Sequence, residues 1–284
     1  MIKQKLYRKF LPLLISLSLI LYTFFQIDIN LISYNLYKLD FFLIIISSIF
    51  FILSQFLSSI RLLYIFQKTG IDIKLSTNNK LYLLGMFYNF FLPGGIGGDA
   101  YKVILLKKKF KTKSLIKSIF LDRAIGYGAI FSLLILIIDE KILFINIFLK
   151  IFLFIILVFF GYYISSIIFK SGNIFFKSFL YSILIQILQI ISMLLIIKSF
   201  EINTDELFLI SIFLISSILS ILSVGGVGIR EFIFLNVSSL TTIDQENLVL
   251  LALMFTLITA FVSLFGIIYT CLLYTSPSPR DRIA

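Results

Sequence analysis

Long apolar segments, separated by short charged loops, occupy most of this chain of 284 residues. A helix needs about 20 consecutive apolar residues to cross the hydrocarbon core of a bilayer, and several of these segments reach that length. Hydrophobic residues make up 60% of the chain and charged residues 14%. That balance excludes a water-soluble globular domain and a disordered chain. We therefore expect an all-α polytopic membrane protein.

About six segments have the length and composition of complete membrane crossings. They are residues 10–25, 41–66, 114–138, 142–169, 179–197 and 248–270. The net charge of +11 fits this arrangement, because Lys and Arg accumulate in the cytoplasmic loops of membrane proteins. We interpret the positive charge as a topology signal, and we expect no nucleic-acid partner.

The basic residues Lys3, Lys5, Arg8 and Lys9 precede the first apolar segment, which places the N-terminus in the cytoplasm. No small-residue cleavage site follows that segment, so we expect a retained signal anchor rather than a cleaved signal peptide. The expected location is the cytoplasmic (inner) membrane, crossed several times.

The apolar segment at residues 81–101 is interrupted by Pro-Gly-Gly-Ile-Gly-Gly at residues 93–98. Lysines flank it on both sides, and the densest lysine cluster of the chain follows at residues 102–117. A complete crossing would export one of the basic flanks, which the positive-inside rule disfavours. Non-helical backbone at membrane depth must also be surrounded by protein or line a wet cavity. The sequence therefore predicts a re-entrant hairpin on the cytoplasmic side.

A second broken segment, residues 207–235, contains Gly-Gly-Val-Gly at residues 225–228. The residues that flank it are acidic, namely Glu201, Asp205, Glu206, Asp244 and Glu246. This pattern predicts a second re-entrant hairpin that enters from the outer side.

The two glycine motifs resemble each other, and their predicted orientations are opposite. Such a pair is typical of an inverted repeat, in which broken helices meet near the bilayer midplane of a secondary transporter. The alternative is that glycine-rich breaks recur by chance in a sequence of low diversity.

Asp122 and Arg123 lie inside an otherwise apolar segment, where an unpaired charge is costly. Adjacent residues of a helix point about 100° apart, so we expect these two side chains to have different partners. Arg61 and Lys150 are expected to extend toward a membrane interface, with their apolar stems in the hydrocarbon.

Charged residues also follow each glycine motif. Asp99 is expected to cap a half-helix at residues 100–106 by accepting hydrogen bonds from its free N–H groups. The free N–H groups at the glycine motifs favour anions, and Arg123 or Arg230 beside them would hold a phosphate by charge-assisted bonds. The alternative is that these charges, with Glu231, form a structural network that locks the bundle.

The sequence contains no His and one Cys, which removes the commonest general base and metal ligand and excludes a disulfide framework. It lacks the Lys-Ser/Thr of a phosphate-binding loop, and its glycines lack the dinucleotide-binding spacing. No nucleophile–base set can be assembled from the residues present. We therefore expect no metal, no cofactor and no enzymatic activity, with an integral transferase acting on lipid-linked substrates as the alternative.

Three motifs resemble those of the lysylphosphatidylglycerol synthase membrane-domain family, also called flippase-like domain proteins. The first extends from Gly85 to Asp99, the second contains Asp122-Arg123, and the third is Gly-Gly-Val-Gly-Ile-Arg-Glu at residues 225–231. The family usually has Arg where this chain has Lys102. It often has Pro at the position of Val224.

The resemblance implies lipid translocation, because family members are thought to move modified phospholipids or lipid-linked sugars between leaflets. Because charged residues lie beside both glycine breaks, we expect the opposed broken helices to form a midplane cavity for an anionic headgroup. In it Arg123 and Arg230 would contact a phosphate, while Asp99, Asp122 and Glu231 balance charge or hold an amine. The predicted substrate-binding residues are Asn89, Gly94, Gly95, Gly97, Gly98, Asp99, Lys102, Asp122, Arg123, Gly225, Gly226, Gly228, Arg230 and Glu231.

The expected substrate is an anionic or aminoacylated phospholipid or a lipid-linked headgroup. Expected partners are membrane lipids and a separate lipid-modifying or glycosyl transferase, and we expect no aminoacyl transfer from this chain itself. An ion-coupled small-solute transporter is a further alternative, because it would use the same inverted repeat.

Residues 1–270 are expected to form a single integral membrane domain. Residues 271–284 resemble a translated sequencing adapter, so we expect a non-native tail and a truncated native C-terminus. The alternative is a genuine polar tail.

Overall fold

The computed structural model describes residues 2–91, 97–139, 142–169, 172–200 and 205–269. These ranges are helical and contain no β-strand, which confirms the expected all-α fold. The helices are α1 (Ile2–Gln26), α2 (Ile29–Tyr37), α3 (Phe41–Lys68), α4 (Leu75–Phe91), α5 (Gly97–Leu106), α6 (Thr112–Ile137), α7 (Ile147–Phe169), α8 (Asn173–Ser199), α9 (Glu206–Leu219), α10 (Ile229–Asn236) and α11 (Gln245–Leu264). The predicted tail lies outside the described residues, as do Gly94 and Gly95.

Five helices, namely α3, α6, α7, α8 and α11, are long and apolar enough to cross a membrane. Helices α1 and α2 meet the same criteria only as a pair, across a bend of 86°, so the described residues contain five candidate spans, or six if this pair counts as one. The expected number of about six spans is therefore confirmed. The sequence did not predict the bend, which occurs where Asp28 starts a new helix by accepting a hydrogen bond from the Asn30 N–H (2.8 Å).

Helices α4 and α5 form an antiparallel hairpin around the first glycine motif. Near its tip, the Asn89 Oδ1 atom accepts a hydrogen bond from the Gly98 N–H (2.8 Å). Farther along, the rings of Tyr88 and Tyr101 lie 4.5 Å apart. At the open end, Leu106 belongs to the same apolar cluster as Leu115 near the start of α6.

Helices α9 and α10 form the second hairpin, and a glycine turn joins them. Gly225, Gly226 and Gly228 have φ angles of +63°, +86° and +88°, a conformation that side-chain-bearing residues rarely adopt. At the open end of this hairpin, the Ser211 Oγ atom accepts a hydrogen bond from the Asp139 N–H (3.1 Å), just beyond the end of α6. The two hairpins therefore begin at opposite ends of α6.

The tips of the two hairpins meet inside the bundle. A β-carbon at Gly225 would lie only 2.6 Å from the Phe90 Cδ2 atom, so the second glycine turn packs directly against the end of α4. The hairpins are opposed within the helix bundle, as the sequence predicted. Their re-entrant relation to the lipid bilayer stays a prediction.

The largest apolar core holds α9, α10 and α11 against α3 and α8. Phe255 of α11 is buried at its centre and contacts Phe213 and Phe51, with ring centroids 4.7 Å and 5.4 Å away. Helices α3 and α8 also pack antiparallel along small polar side chains, since Ser47 Oγ lies 2.8 Å from Ser192 Oγ. Small residues permit such close approach of membrane helices.

The two ends of the bundle carry opposite charge. Lysines dominate the end where α3 and α5 finish and α6 begins, namely Lys68, Lys107, Lys108, Lys109, Lys111, Lys113 and Lys117. Carboxylates dominate the other end, where Asp40 and Asp205 cap the starts of α3 and α9. This separation of charge agrees with the loop assignment from the sequence.

Candidate functional site

Asp99 forms ion pairs with two cationic side chains at the junction of α5 and α6. Its Oδ1 atom lies 3.1 Å from the Lys102 Nζ atom, and its Oδ2 atom lies 2.9 Å from the Arg123 Nε atom. Two cations and one carboxylate leave one excess positive charge. Asp99 and Lys102 are buried, whereas the Arg123 side chain is 45% exposed. The cluster can therefore accept an anion on the side where Arg123 is open.

The predicted capping role of Asp99 is wrong. Helix α5 begins at Gly97 rather than at residue 100, which places Asp99 in its first turn. There the carboxylate still meets the positive end of the helix dipole, but it bonds to the two cationic side chains.

Arg61 and Asp122 form a buried bidentate ion pair between α3 and α6. The Nε–Oδ1 distance is 2.8 Å and the Nη2–Oδ2 distance is 3.1 Å, and Arg61 Nη1 donates to Ser182 Oγ on α8 (2.7 Å). The expectation that Arg61 extends to an interface is therefore wrong. Pairing with Asp122 offsets the cost of the buried charge in a way that an apolar stem cannot.

Asp122 and Arg123 have different partners, as the helix geometry predicted. Asp122 joins α6 to Arg61 of α3, and Arg123 joins α6 to Asp99 of α5. Two adjacent residues of α6 thus belong to different groups. Asp122 is part of a buried, neutral ion pair, and Arg123 is part of a partly exposed cluster with excess positive charge.

Lys150 has a defined partner at the end of a neighbouring helix. It is buried in α7, and its Nζ atom donates a hydrogen bond to the Ile138 carbonyl oxygen (2.7 Å) at the end of α6. A cation at this position satisfies a carbonyl that the end of a helix leaves without a partner.

Arg230 is a buried cation without an ion pair among the described residues. Its Nη1 atom donates to Thr256 Oγ1 (3.2 Å), its Nε atom has no hydrogen-bond partner there, and its guanidinium lies 4.7 Å above the Phe255 ring. The centroid of the Phe213 ring lies 5.8 Å from the same guanidinium. The aromatic faces supply part of the stabilisation that a carboxylate would otherwise give.

Glu231 supports the glycine turn instead of pairing with Arg230. Its Oε2 atom accepts a hydrogen bond from the Gly228 N–H (2.7 Å), and its Oε1 atom accepts one from the Thr256 hydroxyl (2.6 Å). Thr256 therefore connects both charged residues that follow the second glycine motif.

The described glycines of the first motif permit close packing of its hairpin. A β-carbon at Gly98 would collide with the Gly85 carbonyl oxygen, and one at Gly85 would lie 2.5 Å from the Lys102 side chain. Gly97 begins α5. Lys102 thereby lies against the α4 backbone, from which it reaches Asp99.

Residues 9–176 match the family described as the lysylphosphatidylglycerol synthase TM region. The match covers more than half of the chain. The chain belongs to this family. A search among curated proteins finds no match to this chain. Family membership and the long apolar helices together make this an integral, multi-pass membrane protein tied to lipid metabolism.

The family match includes the cluster of Asp99, Lys102 and Arg123 and the ion pair of Arg61 with Asp122, and it ends before Arg230. Among the described residues, the structure brings the predicted ones together in two groups, one at each hairpin, except Asp122, which pairs with Arg61 of α3. Sequence reasoning missed Arg61 and Thr256 as partners in these groups. Arg61 and Asp122 are 61 positions apart in the sequence, so only the folded structure reveals that they form an ion pair.

Proposed function

We propose that this member of the lysylphosphatidylglycerol synthase TM-region family moves an anionic or aminoacylated phospholipid, or a lipid-linked headgroup, between leaflets. The observation that carries the proposal is the excess positive charge at Asp99, Lys102 and Arg123, beside two hairpins whose tips meet. A phosphate diester at Arg123 would neutralise this charge through charge-assisted hydrogen bonds.

Arg230 is the second cation that we assign to headgroup binding. It is close to the glycine turn, since a β-carbon at Gly226 would lie 3.3 Å from the Arg230 Nη2 atom. Movement of this turn away from Phe90 would expose Arg230 to the space between the hairpins. We propose that a headgroup passes from Arg123 to Arg230 as the hairpins move.

In this proposal the protein is a transporter and performs no covalent chemistry. The basic end of the bundle faces the cytoplasmic side of the inner membrane. A separate lipid-modifying or glycosyl transferase supplies the lipid. Buried cations without clustered carboxylates or a histidine suit binding of an anion better than acid–base catalysis.

The test is transfer of fluorescent phosphatidylglycerol between leaflets of proteoliposomes that contain the purified protein. We expect Arg123→Gln to slow transfer by about tenfold, the cost of one charge-assisted hydrogen bond. Lys109→Gln is the matched control, because Lys109 is exposed at the basic end and should leave the rate unchanged. Equal rates for both variants would contradict the assigned role of Arg123.

An ion-coupled small-solute transporter would use the same opposed hairpins. The same proteoliposomes distinguish it, because ion-dependent uptake of a soluble anion without lipid transfer would replace our proposal by this one.

A further inference from the structure

Arg123 lies on an outward, apolar face of α6. Beyond Lys117, α6 exposes Phe120, at 60%, and Phe131, at 43%, and Arg123 lies between them along the helix, at the edge of the side that they share. Residues three and four apart share one side of a helix, which places Phe120 and Arg123 next to each other. The open side of the charged cluster therefore borders an exposed apolar surface of the kind that contacts lipid chains.

Helix α5 continues this apolar surface on the other side of the cluster. Ile104 is 53% exposed, one and a half turns beyond Asp99, and the ion pair of Asp99 with Arg123 joins α5 to α6. The site is thus closed toward the bundle by Lys102, and it is open sideways between two helices with exposed apolar residues.

Arg123 also lies inside the apolar span formed by α6, Thr112–Ile137. It is six residues beyond Lys117, and this spacing corresponds to about 9 Å along α6. Arginine side chains at such depth normally extend toward the interface, but Asp99 holds the Nε atom of Arg123 within the site. A partly exposed charge there requires water or an anion beside it.

We propose that the anion beside Arg123 is the phosphate diester of a lipid in the leaflet at the basic end of the bundle. The lipid enters sideways between α5 and α6, and its acyl chains remain in the bilayer against Phe120 and Ile104. The inference rests on the proposed lipid transport and names the route by which its substrate arrives. A free phosphate ion shares the chemistry of the diester but gains nothing from the apolar flanks.

The absence of tryptophan from the chain allows a direct test. Phe120→Trp and Ile104→Trp each introduce a single fluorophore beside the site. Phe159→Trp is the control, because Phe159 is 69% exposed on α7, in a helix without a neighbouring charged cluster among the described residues. Each variant is placed in phosphatidylcholine vesicles that contain a minor fraction of phosphatidylglycerol with brominated chains, and bromine quenching is measured.

We expect quenching at Phe120→Trp and Ile104→Trp to favour brominated phosphatidylglycerol over brominated phosphatidylcholine by about fivefold in apparent affinity, the effect of one cation on an anionic lipid. Phe159→Trp should show no preference. Adding Arg123→Gln to Phe120→Trp should remove the preference, whereas adding Arg123→Lys should retain it. No preference at both site positions, or an equal preference at Phe159→Trp, would overturn the inference.

Other outcomes separate this inference from the transport proposal. Leaflet transfer that depends on Arg123, without any lipid preference in quenching, would overturn sideways access and leave transport intact. Lipid preference without leaflet transfer would support the site and refute transport. Calorimetric binding of inorganic phosphate without preference for brominated phosphatidylglycerol would assign the site to a soluble anion and overturn the proposal.

Discussion

Arg61 and Asp122 illustrate how strongly a buried charge depends on its partner. Both side chains are buried, and two parallel hydrogen bonds join them between α3 and α6. Such a pair is a balance between Coulomb attraction and the lost hydration of both ions, so removing one partner costs far more than removing both.

Asp122→Leu should therefore destabilise the protein by about 3–5 kcal/mol, because it leaves the Arg61 guanidinium buried without a counter-charge. The double variant Arg61→Met/Asp122→Leu should recover most of this loss. The measurement is the free energy of unfolding in detergent micelles. Equal losses in the single and double variants would show that the ion pair is not the cause.

The close contact of Gly85 with Gly98 leads to a second prediction. Gly98→Ala inserts a methyl group against the Gly85 carbonyl oxygen and should cost about 1–3 kcal/mol of unfolding free energy. Gly128→Ala is the control, because nothing lies within 4 Å of its added β-carbon and alanine favours a helix. A loss at Gly128→Ala as large as that at Gly98→Ala would contradict the packing argument.

Among the elements, the two hairpins show why broken helices occur in this fold. Each hairpin returns to the end of the bundle where it began, and each tip carries glycines that allow a tight reversal or close approach. The contact of Phe90 with Gly225 joins one tip to the other. Either hairpin can therefore influence the position of the other.

Gly225→Ala should disturb this contact in two ways, through its positive φ and through collision with Phe90. Gly70→Ala has only the first effect, about 1–2 kcal/mol, since Gly70 has φ of +81° and open space around it. We expect a larger loss of unfolding free energy for Gly225→Ala than for Gly70→Ala. Phe90→Ala should relieve the excess in the double variant, and its failure to do so would exclude the tip contact as the cause.

For the whole molecule, the separation of basic and acidic ends predicts its orientation in the membrane. In a Cys271→Ser background, a membrane-impermeant thiol reagent should label Ser239→Cys on intact cells. It should label Lys108→Cys only after permeabilisation. Ser239 and Lys108 are exposed at opposite ends of the bundle, so each serves as the control for the other. Labelling of Lys108→Cys on intact cells would contradict the cytoplasmic position of the basic end.

Much of the architecture could be predicted from hydropathy and charge. The span expected at residues 41–66 is α3, Phe41–Lys68, and the span expected at 114–138 is α6, Thr112–Ile137. Helix α8 begins at Asn173, six residues before its expected start, because Lys177 and Ser178 interrupt the apolar run after its first turn. The sequence analysis did not predict the break at Asp28, although aspartate is a common helix N-cap and could have indicated it.

The sequence by itself determined the helical class, the number of spans, the two breaks and the charged residues inside the apolar segments. Bilayer thickness and the positive-inside rule act on local composition, so these features can be read without a fold. Only the tertiary structure decided that Arg61 pairs with Asp122, that Arg123 remains open beside Asp99, and that Gly225 meets Phe90. Ion pairs and helix contacts join residues far apart in the chain, and their free energy depends on distances that local sequence does not encode.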